Sequence, residues 1–527
     1  MKKNSIKMIK EILFFLFFGI IVSASAQYVE DYPINSGNGD QMISFKNWPE
    51  GINQFTELLK KYPDNLEYKY KLGKCYLYAD VDKAKSLAYF KDLMAFEKKE
   101  KDFYESLAMA YFVNYEFDNA KKIYQQMVDS VSDTKRKSLF IKQIAQCDIS
   151  KKMMKNPVQV SFENLGKNVN SKAPDFLPIV SPDEAFLAFS TRRKGVVGNL
   201  NSYAGYRTSD IFVTKHKRSK YSRARSIGNP NTYGNEFTAG RSGNGKYLTF
   251  TVNSDDYFND IFVSEKGRRS YMPPKVFDSE GVNTKEDELG ATLSNDGEKM
   301  YFSSNREGGK GGFDIYYVQR LPNGQWSEIK NLGSPINTEG DEKYPAFSHD
   351  ESYLFFSSNG HIGMGGMDLY KSKALEGLNK WQNPKNLGYP INTPFDDENI
   401  SFAGNERYAY MAKRLDDTFG DLDIYRLTFQ DKKDEYSLIS GQVLTTDSTL
   451  IDQSINIEAF QENSGTFVGT YIMNRKNGKY SAILAPGRYV LEVKDAEGYN
   501  DYSKVINILG KNDQAELRKF NIILESQ

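Results

Sequence analysis

Between residues 157 and 430 apolar and polar positions alternate with a period of two, in short runs broken by Gly, Asn, Asp and Ser. Such runs predict half-buried β-strands joined by turns. The clearest unit spans Glu288–Gly333. It predicts strands at Glu288–Ser294, Lys299–Asn305 (KMYFSSN), Phe313–Arg320 (FDIYYVQR) and Gln325–Gly333 (QWSEIKNLG). Ser294-Asn-Asp-Gly-Glu298 is a turn between the first two, since Asn, Asp and Gly tolerate the backbone angles of a tight reversal. The Gly-rich stretch Arg306–Gly312 separates the second strand from the third. The same order returns as YPAFSH, YLFFSSN from Tyr353, MDLYKSK from Met367 and WQNPKNLG from Trp381.

An Asp before an aliphatic–aromatic pair marks five copies: Asp210, Asp260, Asp314, Asp368 and Asp423, at intervals of 50, 54, 54 and 55 residues. Each copy has an upstream turn anchor: Asp183, Asn244, Asp296, Asp350 and Asn405. A period near 50 means that one supersecondary unit is copied, and four short strands per unit predict a propeller of five blades. The fifth copy offers three strands only, ENISFAG, RYAYMAK and LDIYRLTF. Val158–Gly166 (VQVSFENLG) ends in the same Asn-Leu-Gly as the outer strands of copies three and four. Residues 158–165 are therefore expected to complete the fifth blade and close the ring without an open sheet edge. The Ser181-Pro-Asp-Glu184 turn, the following FLAFSTRR and SDIF, and the unit FSSNREGGKGGFDIYY resemble the TolB/WD-like propeller family over residues 157–430.

The five aspartates admit two readings. A carboxylate entering the third strand accepts N–H bonds from the loop before it, which is structural; a ligand ring requires the five to converge. Asp417, Asp421 and Asp423 offer oxygens to a cation but lack the fixed spacing of an EF-hand loop, so no metal is expected. Gly308-Gly-Lys-Gly-Gly312 lacks the GK[ST] ending and following helix of a phosphate loop. No cofactor is expected.

In residues 46–156 the period changes to three and four, which predicts helices. FYESLAMAYFVNYEFDNAKKIYQQM resembles a tetratricopeptide repeat, with Tyr104, Leu107, Ala108, Tyr111, Ala120 and Tyr124 at its large and small packing positions. Leu72, Gly73 and Tyr76, then Phe55, Leu58 and Pro63, match earlier units. The domain either offers a concave groove to a partner's peptide or is a spacer. Lys98–Lys101 reads as a solvated turn, and 430–435 as a charged linker. Residues 436–527 return to strand patterning with a hairpin signal at Asn477-Gly478. NGKYSAILAPGRYVLEVKDAEGY resembles the carboxypeptidase-regulatory-like β-sandwich family. The expected fold is therefore multidomain: an all-α repeat domain, a five-bladed β-propeller and a C-terminal β-sandwich.

Lys plus Arg equals Asp plus Glu at 69 each in 527 residues. A basic start, the apolar run Ile12–Val22 and the exit Ala24-Ser-Ala26 predict a cleaved signal peptide, 1–26. Its loss leaves 65 basic and 68 acidic side chains, which gives no electrostatic case for nucleic acid. No cysteine lies near the cleavage site, so a lipoprotein is not expected. Cys75 and Cys147 are too few for a disulfide framework, and they are expected on first helices two repeats apart, too distant to join. His216, His349 and His361 form no zinc motif, and the chain has no HExxH or GxSxG. The order of modules resembles PorE-type envelope proteins of type IX secretion and gliding machinery, without the OmpA-like domain that grips peptidoglycan in them. The resemblance implies a non-enzymatic periplasmic scaffold of an outer-membrane-associated complex, with envelope proteins as partners and peptidoglycan reached only indirectly. The alternative is a glycan- or peptide-binding propeller in uptake or sensing. Trp326 and Trp381 are candidate sugar platforms, although both recur at the start of a fourth strand, where packing is the simpler role.

Overall fold

The computed structural model describes residues 33–527, except 80–81, 97–101, 199–206, 218–219, 229–230, 244, 255–256, 268–270, 278, 349–350, 376–379, 404–405, 431–436, 463–464, 466, 485–486 and 509–519. The signal peptide 1–26, Lys98–Lys101, the linker residues 431–435, His349 and the anchors Asn244, Asp350 and Asn405 thus lie outside the described residues. The chain forms two compact units. One comprises residues up to Ile144 with Val197–Thr208; the other comprises Ala145–Val196 and Ser209–Gln527.

The described residues contain seven α-helices: α1 (Ser36–Ser44), α2 (Trp48–Lys61), α3 (Leu66–Tyr78), α4 (Ser86–Leu93), α5 (Phe103–Val113), α6 (Phe117–Ser130) and α7 (Thr134–Lys155). Asparagines cap the first three. Asn35, Asn47 and Asn65 accept bonds from the N–H groups of Asn38, Glu50 and Tyr68 at 2.8, 3.1 and 3.0 Å. Each bond satisfies one of the orphan donors of a helix start. Helix α1 lies before the predicted helical region. It is held by burial of Met42 and by Gly39, whose bare backbone rests on the Phe55 ring. Gly73 lets α3 approach Phe90 in the same way. Leu107, Ala108, Tyr111, Ala120 and Tyr124 are buried as the repeat register expects. Tyr104 is not: it is 49% exposed and meets Phe103 edge-on at 5.3 Å, and Phe103 fills the core position instead. Both cysteines are buried thiols, and burial pushes Cys75 up to about 12. No described helix is long and apolar enough to cross a membrane.

The second unit holds five antiparallel sheets in chain order. The first contains Asp175–Val180, Phe186–Thr191, Asp210–Lys217 and Lys220–Tyr221, with Arg225–Ser226 also paired to its third strand. The second contains Asn235–Arg241, Tyr247–Ser254, Tyr257–Glu265 and Lys275–Val276. The third contains Glu288–Leu293, Lys299–Ser304, Asp314–Gln319 and Lys330–Asn331. The fourth contains Glu342–Phe347, Tyr353–Ser358, Asp368–Lys373 and Lys385–Asn386. The fifth contains Ser401–Phe402, Tyr408–Lys413 and Asp423–Phe429, and its fourth strand is Val160–Asn164, which runs antiparallel to 423–429.

Five apolar clusters bind each sheet to the next. Ile179 and Ile211 of the first meet Leu248 and Phe250 of the second. Ala239 and Ile261 meet Met300 and Phe302 of the third. Tyr301 and Ile315 meet Leu354 and Phe356 of the fourth. Phe355 and Leu369 meet Phe402 and Phe429 of the fifth. Tyr410 and Ile424 of the fifth then meet Phe189 and Phe212 of the first, so the packing is cyclic. The Ala145–Lys155 part of α7 bonds to the loop before Asp368: Gln146 Nε2 donates to the Gly365 carbonyl at 2.9 Å and Ser150 Oγ to that of Met364 at 3.3 Å.

The C-terminal strands form two sheets. Ser437–Thr445 lies between Lys479–Leu484 and, in parallel, Ile522–Leu524. The other sheet runs in the order Phe467–Ile472, Asn456–Gln461, Gly487–Val493, Tyr502–Ile508. Their inner faces share Ile439, Val443, Ile457 and Leu491. The Asn477-Gly478 turn is present, with Gly478 at φ 67, but it is not the predicted hairpin, because the strands it joins lie in different sheets. Arg488 Nη1 reaches Asp183 Oδ2 of the first sheet's turn at 2.9 Å.

Candidate functional site

Asp210, Asp314, Asp368 and Asp423 each begin the third strand of their sheet and are fully or almost fully buried. Asp260 differs: it is half-buried and lies inside Tyr257–Glu265. In that sheet Ser254 pairs directly with Tyr257, so no Gly-rich loop intervenes and the third strand starts earlier.

The carboxylates belong to networks built from their own sheets. Asp314 Oδ2 accepts the Lys310 N–H and, at 2.8 Å, Asn331 Nδ2. Asn331 Oδ1 takes Gly333 N–H at 2.7 Å and Asn337 Nδ2 at 2.8 Å. Asn337 closes the circuit on Ile315, accepting its N–H and donating to its carbonyl, both at 2.9 Å. The fourth sheet repeats every bond with Asp368, Asn386 and Asn392. The fifth repeats it with Asp423, Asn164 and Asn170, although Asn164 comes from the far end of the domain sequence. In the first sheet Ser226 stands in for the outer asparagine, and Asn231 grips Ile211; in the second, Asn283 grips Ile261. Burial, reinforced by the charge of Asp397, pushes Asp368 up to about 7. These bonds also explain the glycines: a side chain at Gly309 would meet Asp314 Oδ2 at 2.7 Å. The N–H groups of Lys310, Gly312 and Phe313 are spent on Asp314, the Gly340 carbonyl and Asp341, and none of the three is left to cradle a phosphate.

A second buried acid per sheet, absent from the sequence reading, is as regular. Asp175, Glu236, Glu288, Glu342 and Asp397 are each at most 3% exposed. Each is capped by a Ser or Thr four residues earlier: Ser171, Thr232, Thr284, Thr338 and Thr393. The signal was available as Asn-Thr/Ser-x-x-x-Glu/Asp repeating through the chain. Arg193, Arg306 and Lys413 pair with Asp175, Glu288 and Asp397. Glu236 has no cation in its sheet's equivalent place. It also faces Val252, where the register of the first, third and fourth sheets puts Thr191, Ser304 and Ser358. Burial pushes it up to about 7.

Residues of several sheets meet around Arg241, whose guanidinium donates to the carbonyls of Ser242 (2.7 Å), Gly243 and Phe402. Ile179, Phe347, Phe355 and Ser401 line the same point, and the void left there is about 20 Å³. Burial lowers the Arg241 guanidinium to about 10. The three carboxylates weighed as cation ligands are engaged: Asp421 with Arg414, Asp417 with the Tyr425 hydroxyl at 2.7 Å, and Asp423 with Asn164. Among the described residues no three His, Cys, Asp or Glu side chains form a metal-binding group.

Two open grooves lie at outer strands. One, of about 1380 Å³, runs between the second and third sheets past Met272, Val276, Glu280, Gln325 and Glu328. Trp326 lies beside it, but Phe277 covers its ring at 4.9 Å and the Arg320 guanidinium at 5.0 Å. Trp381 is 8% exposed against Phe347 and Tyr301. Trp381 packs, whereas Trp326 is half-buried and lines the groove. The second groove, of about 500 Å³, lies on the first sheet beside Lys215, Lys220, Arg223 and Arg225.

No family profile and no curated protein matches the chain. Solved structures with partial likeness include an α-L-arabinofuranosidase from Lactobacillus brevis, at 10% identity over 53% of this chain and 93% of that protein, with a TM-score of 0.31. A Bacteroides ovatus protein described as xyloglucan PUL GH43B follows at 11%, 65% and 79%, with a TM-score of 0.25. A Trypanosoma rangeli sialidase in complex with the inhibitor DANA gives 10%, 66% and 89%, with 0.28. At these scores the likenesses carry no argument about this chain.

Proposed function

We propose that this chain is an exported, non-enzymatic binding protein built around a five-bladed propeller (157–430), with a tetratricopeptide-type helical domain before it and a regulatory-like sandwich after it. Its propeller receives an extended glycan or peptide in uptake or sensing. The observation that carries this reading is the division between centre and rim. The centre is filled by Arg241 and its neighbours, and the repeated carboxylates are tied into their own sheets. The rim keeps open grooves on a rigid frame. Such a frame suits binding without reorganisation, which lowers the cost of association. Glycan and peptide arrays probed with the mature protein test the reading. Saturable binding retained by residues 145–527 is expected; hydrolase turnover of a bound glycan or peptide would overturn it.

A second reading is favoured by the order of the modules: a periplasmic scaffold, held by partners at the outer membrane in a secretion or gliding assembly. Two binding modules on one chain raise each other's effective concentration for a shared complex. Deleting residues 46–156 would then remove one set of proteins co-purifying from envelope extracts and leave another.

A further inference from the structure

The run Lys215-His-Lys-Arg-Ser-Lys-Tyr-Ser-Arg-Ala-Arg225 holds six Lys and Arg in eleven residues of an otherwise charge-balanced chain. Its described residues lie on the outer edge of the first sheet. The third strand runs to Lys217, the chain returns with Lys220 opposite Lys217 and Tyr221 opposite His216, and Arg225 then pairs with Val213. Ala224 between the two arginines is buried and donates to the Asn168 carbonyl at 2.8 Å, while Arg223 and Arg225 on either side are exposed. Lys215 and Lys220 are exposed too, and the four line the groove of about 500 Å³ over Phe186 and Tyr221. None of the four has an ion-pair partner among the described residues, whereas Arg193, Arg306, Arg426 and Arg488 are all paired.

Lysine on an outer strand is commonly a guard against edge-to-edge pairing. The two-residue outer strands of the second, third and fourth sheets carry one cation each, at Lys275, Lys330 and Lys385, as the first does at Arg225. Four unpaired cations around one recess exceed that need, and their mutual repulsion works against the fold unless an anion relieves it. We propose that this groove binds an acidic oligosaccharide, a chain of uronate type carrying spaced carboxylates. The proposal rests on the glycan-receiving reading above and supplies its ligand class and its place. A single-stranded nucleic acid would need open aromatic faces for its bases. Here the Tyr221 ring is stacked on His216 at 4.4 Å with its hydroxyl on Tyr410 at 2.5 Å, and Phe186 lies against Tyr271. A flat bilayer is a poor match for cations that line a recess.

The test uses the full mature chain and hexagalacturonate as probe, with a neutral hexasaccharide, oligothymidylate and anionic phosphatidylglycerol vesicles as competitors. The variant Lys215→Gln/Lys220→Gln/Arg223→Gln/Arg225→Gln is compared with Lys275→Gln/Lys330→Gln/Lys385→Gln, which removes cations from the other outer strands. Hexagalacturonate is expected to bind, to weaken steeply as salt shortens the Debye length from about 30 to about 3 Å, and to lose about tenfold or more in the first variant only. Neither variant should melt below the parent, since the seven side chains are surface groups and the first variant also sheds the repulsion among its four cations. Equal binding by the two variants overturns the proposal, as does tighter binding of oligothymidylate or vesicles. If another glycan or a peptide binds and the first variant is indifferent to it, the site fails while the receptor reading stands; if nothing on either array binds, that reading fails.

Discussion

Asn164→Ala isolates the bond that joins the two ends of the cyclic packing. Asn164 Nδ2 donates to Asp423 Oδ2 at 2.8 Å, and Oδ1 accepts from Gly166 N–H and Asn170 Nδ2, both at 2.9 Å. A bond to a charged acceptor contributes roughly 1.5–3 kcal/mol and a neutral one roughly 0.5–1.5 kcal/mol. Asn164 is half-buried, so water enters part of the gap and reduces the loss. The expected destabilisation is about 2–4 kcal/mol, from one bond to a buried carboxylate, two neutral bonds and the longer bond from Nδ2 to the Asp417 carbonyl at 3.3 Å. Urea unfolding followed by the fluorescence of Trp326 and Trp381, in the third and fourth sheets, reads the effect at a distance from the seam. Asn331→Ala and Asn386→Ala remove the same network where the chain is continuous, and should cost the same within about 0.5 kcal/mol. Should Asn164→Ala cost less than about 0.5 kcal/mol while the other two cost several times more, residues 160–164 do not hold the fifth sheet in solution, and the closure is wrong.

Asp314→Ala and Asp368→Ala should each cost about 1–3 kcal/mol, because each strands backbone and asparagine donors; near-zero changes accompanied by loss of ligand would make them site residues. Gly309→Ala should cost about 1–3 kcal/mol, since its Cβ meets Asp314 Oδ2. In an Asp314→Ala background that cost should fall, and a double-mutant cycle that adds without coupling would reject the contact. Glu236 has its ordinary value of 4.5 raised to about 7 in the fold. The fold thus holds the proton more tightly than the unfolded chain, and the stability this gives is full below about pH 4.5 and lost as pH rises through 7. Glu236→Gln should accordingly unfold at higher urea than the parent at about pH 8, by about 1–3 kcal/mol, and show little difference at about pH 5. Parallel pH profiles for the two proteins would refute that assignment.

The period-two runs were enough to place most strands of the five sheets, because each buries one face. They mislead where backbone bonding departs from side-chain pattern. Gln325–Gly333 reads as a long fourth strand, yet only Lys330–Asn331 pairs in the sheet proper, with Trp326 in a single bridge to Arg320. The rest of that edge is held by the asparagine circuit, which has no hydrophobic signature. Register shifts in the first strands follow from crowding near the centre. Gly290 at φ 65 and Tyr344 at φ 53 mark them, and a side chain on Gly290 would reach Tyr344 Cα at 2.5 Å. Helix α1, with the sequence SGNGDQMIS, has little intrinsic propensity and exists through its Asn35 cap and the contact of Gly39 with Phe55. The aspartates were visible because they repeat beside an apolar motif. The inner asparagine recurs in all five copies and the outer one in three, but polar identity outside an apolar motif seldom reads as structure.

That contrast bears on where function resides in a repeated fold. A residue that recurs from sheet to sheet answers a need that the sheets share; Asp314, Asn331 and Asn337 answer the need to satisfy a loop and an outer edge. Specificity must come from what one copy has and the others lack. The second sheet departs by facing Glu236 with Val252, where the first, third and fourth put Thr191, Ser304 and Ser358, a change inside the fold that couples it to pH. The first sheet departs at its surface. Its third strand returns through Lys220–Tyr221, and the unpaired Lys215, Lys220, Arg223 and Arg225 gather around that return. The return itself belongs to the frame, since Lys266–Tyr271, Arg320–Trp326 and Ala374–Trp381 bridge at the same register in the second, third and fourth sheets; the unpaired charge around it does not. Charge that the frame does not require, concentrated in a recess, is where a ligand would be met.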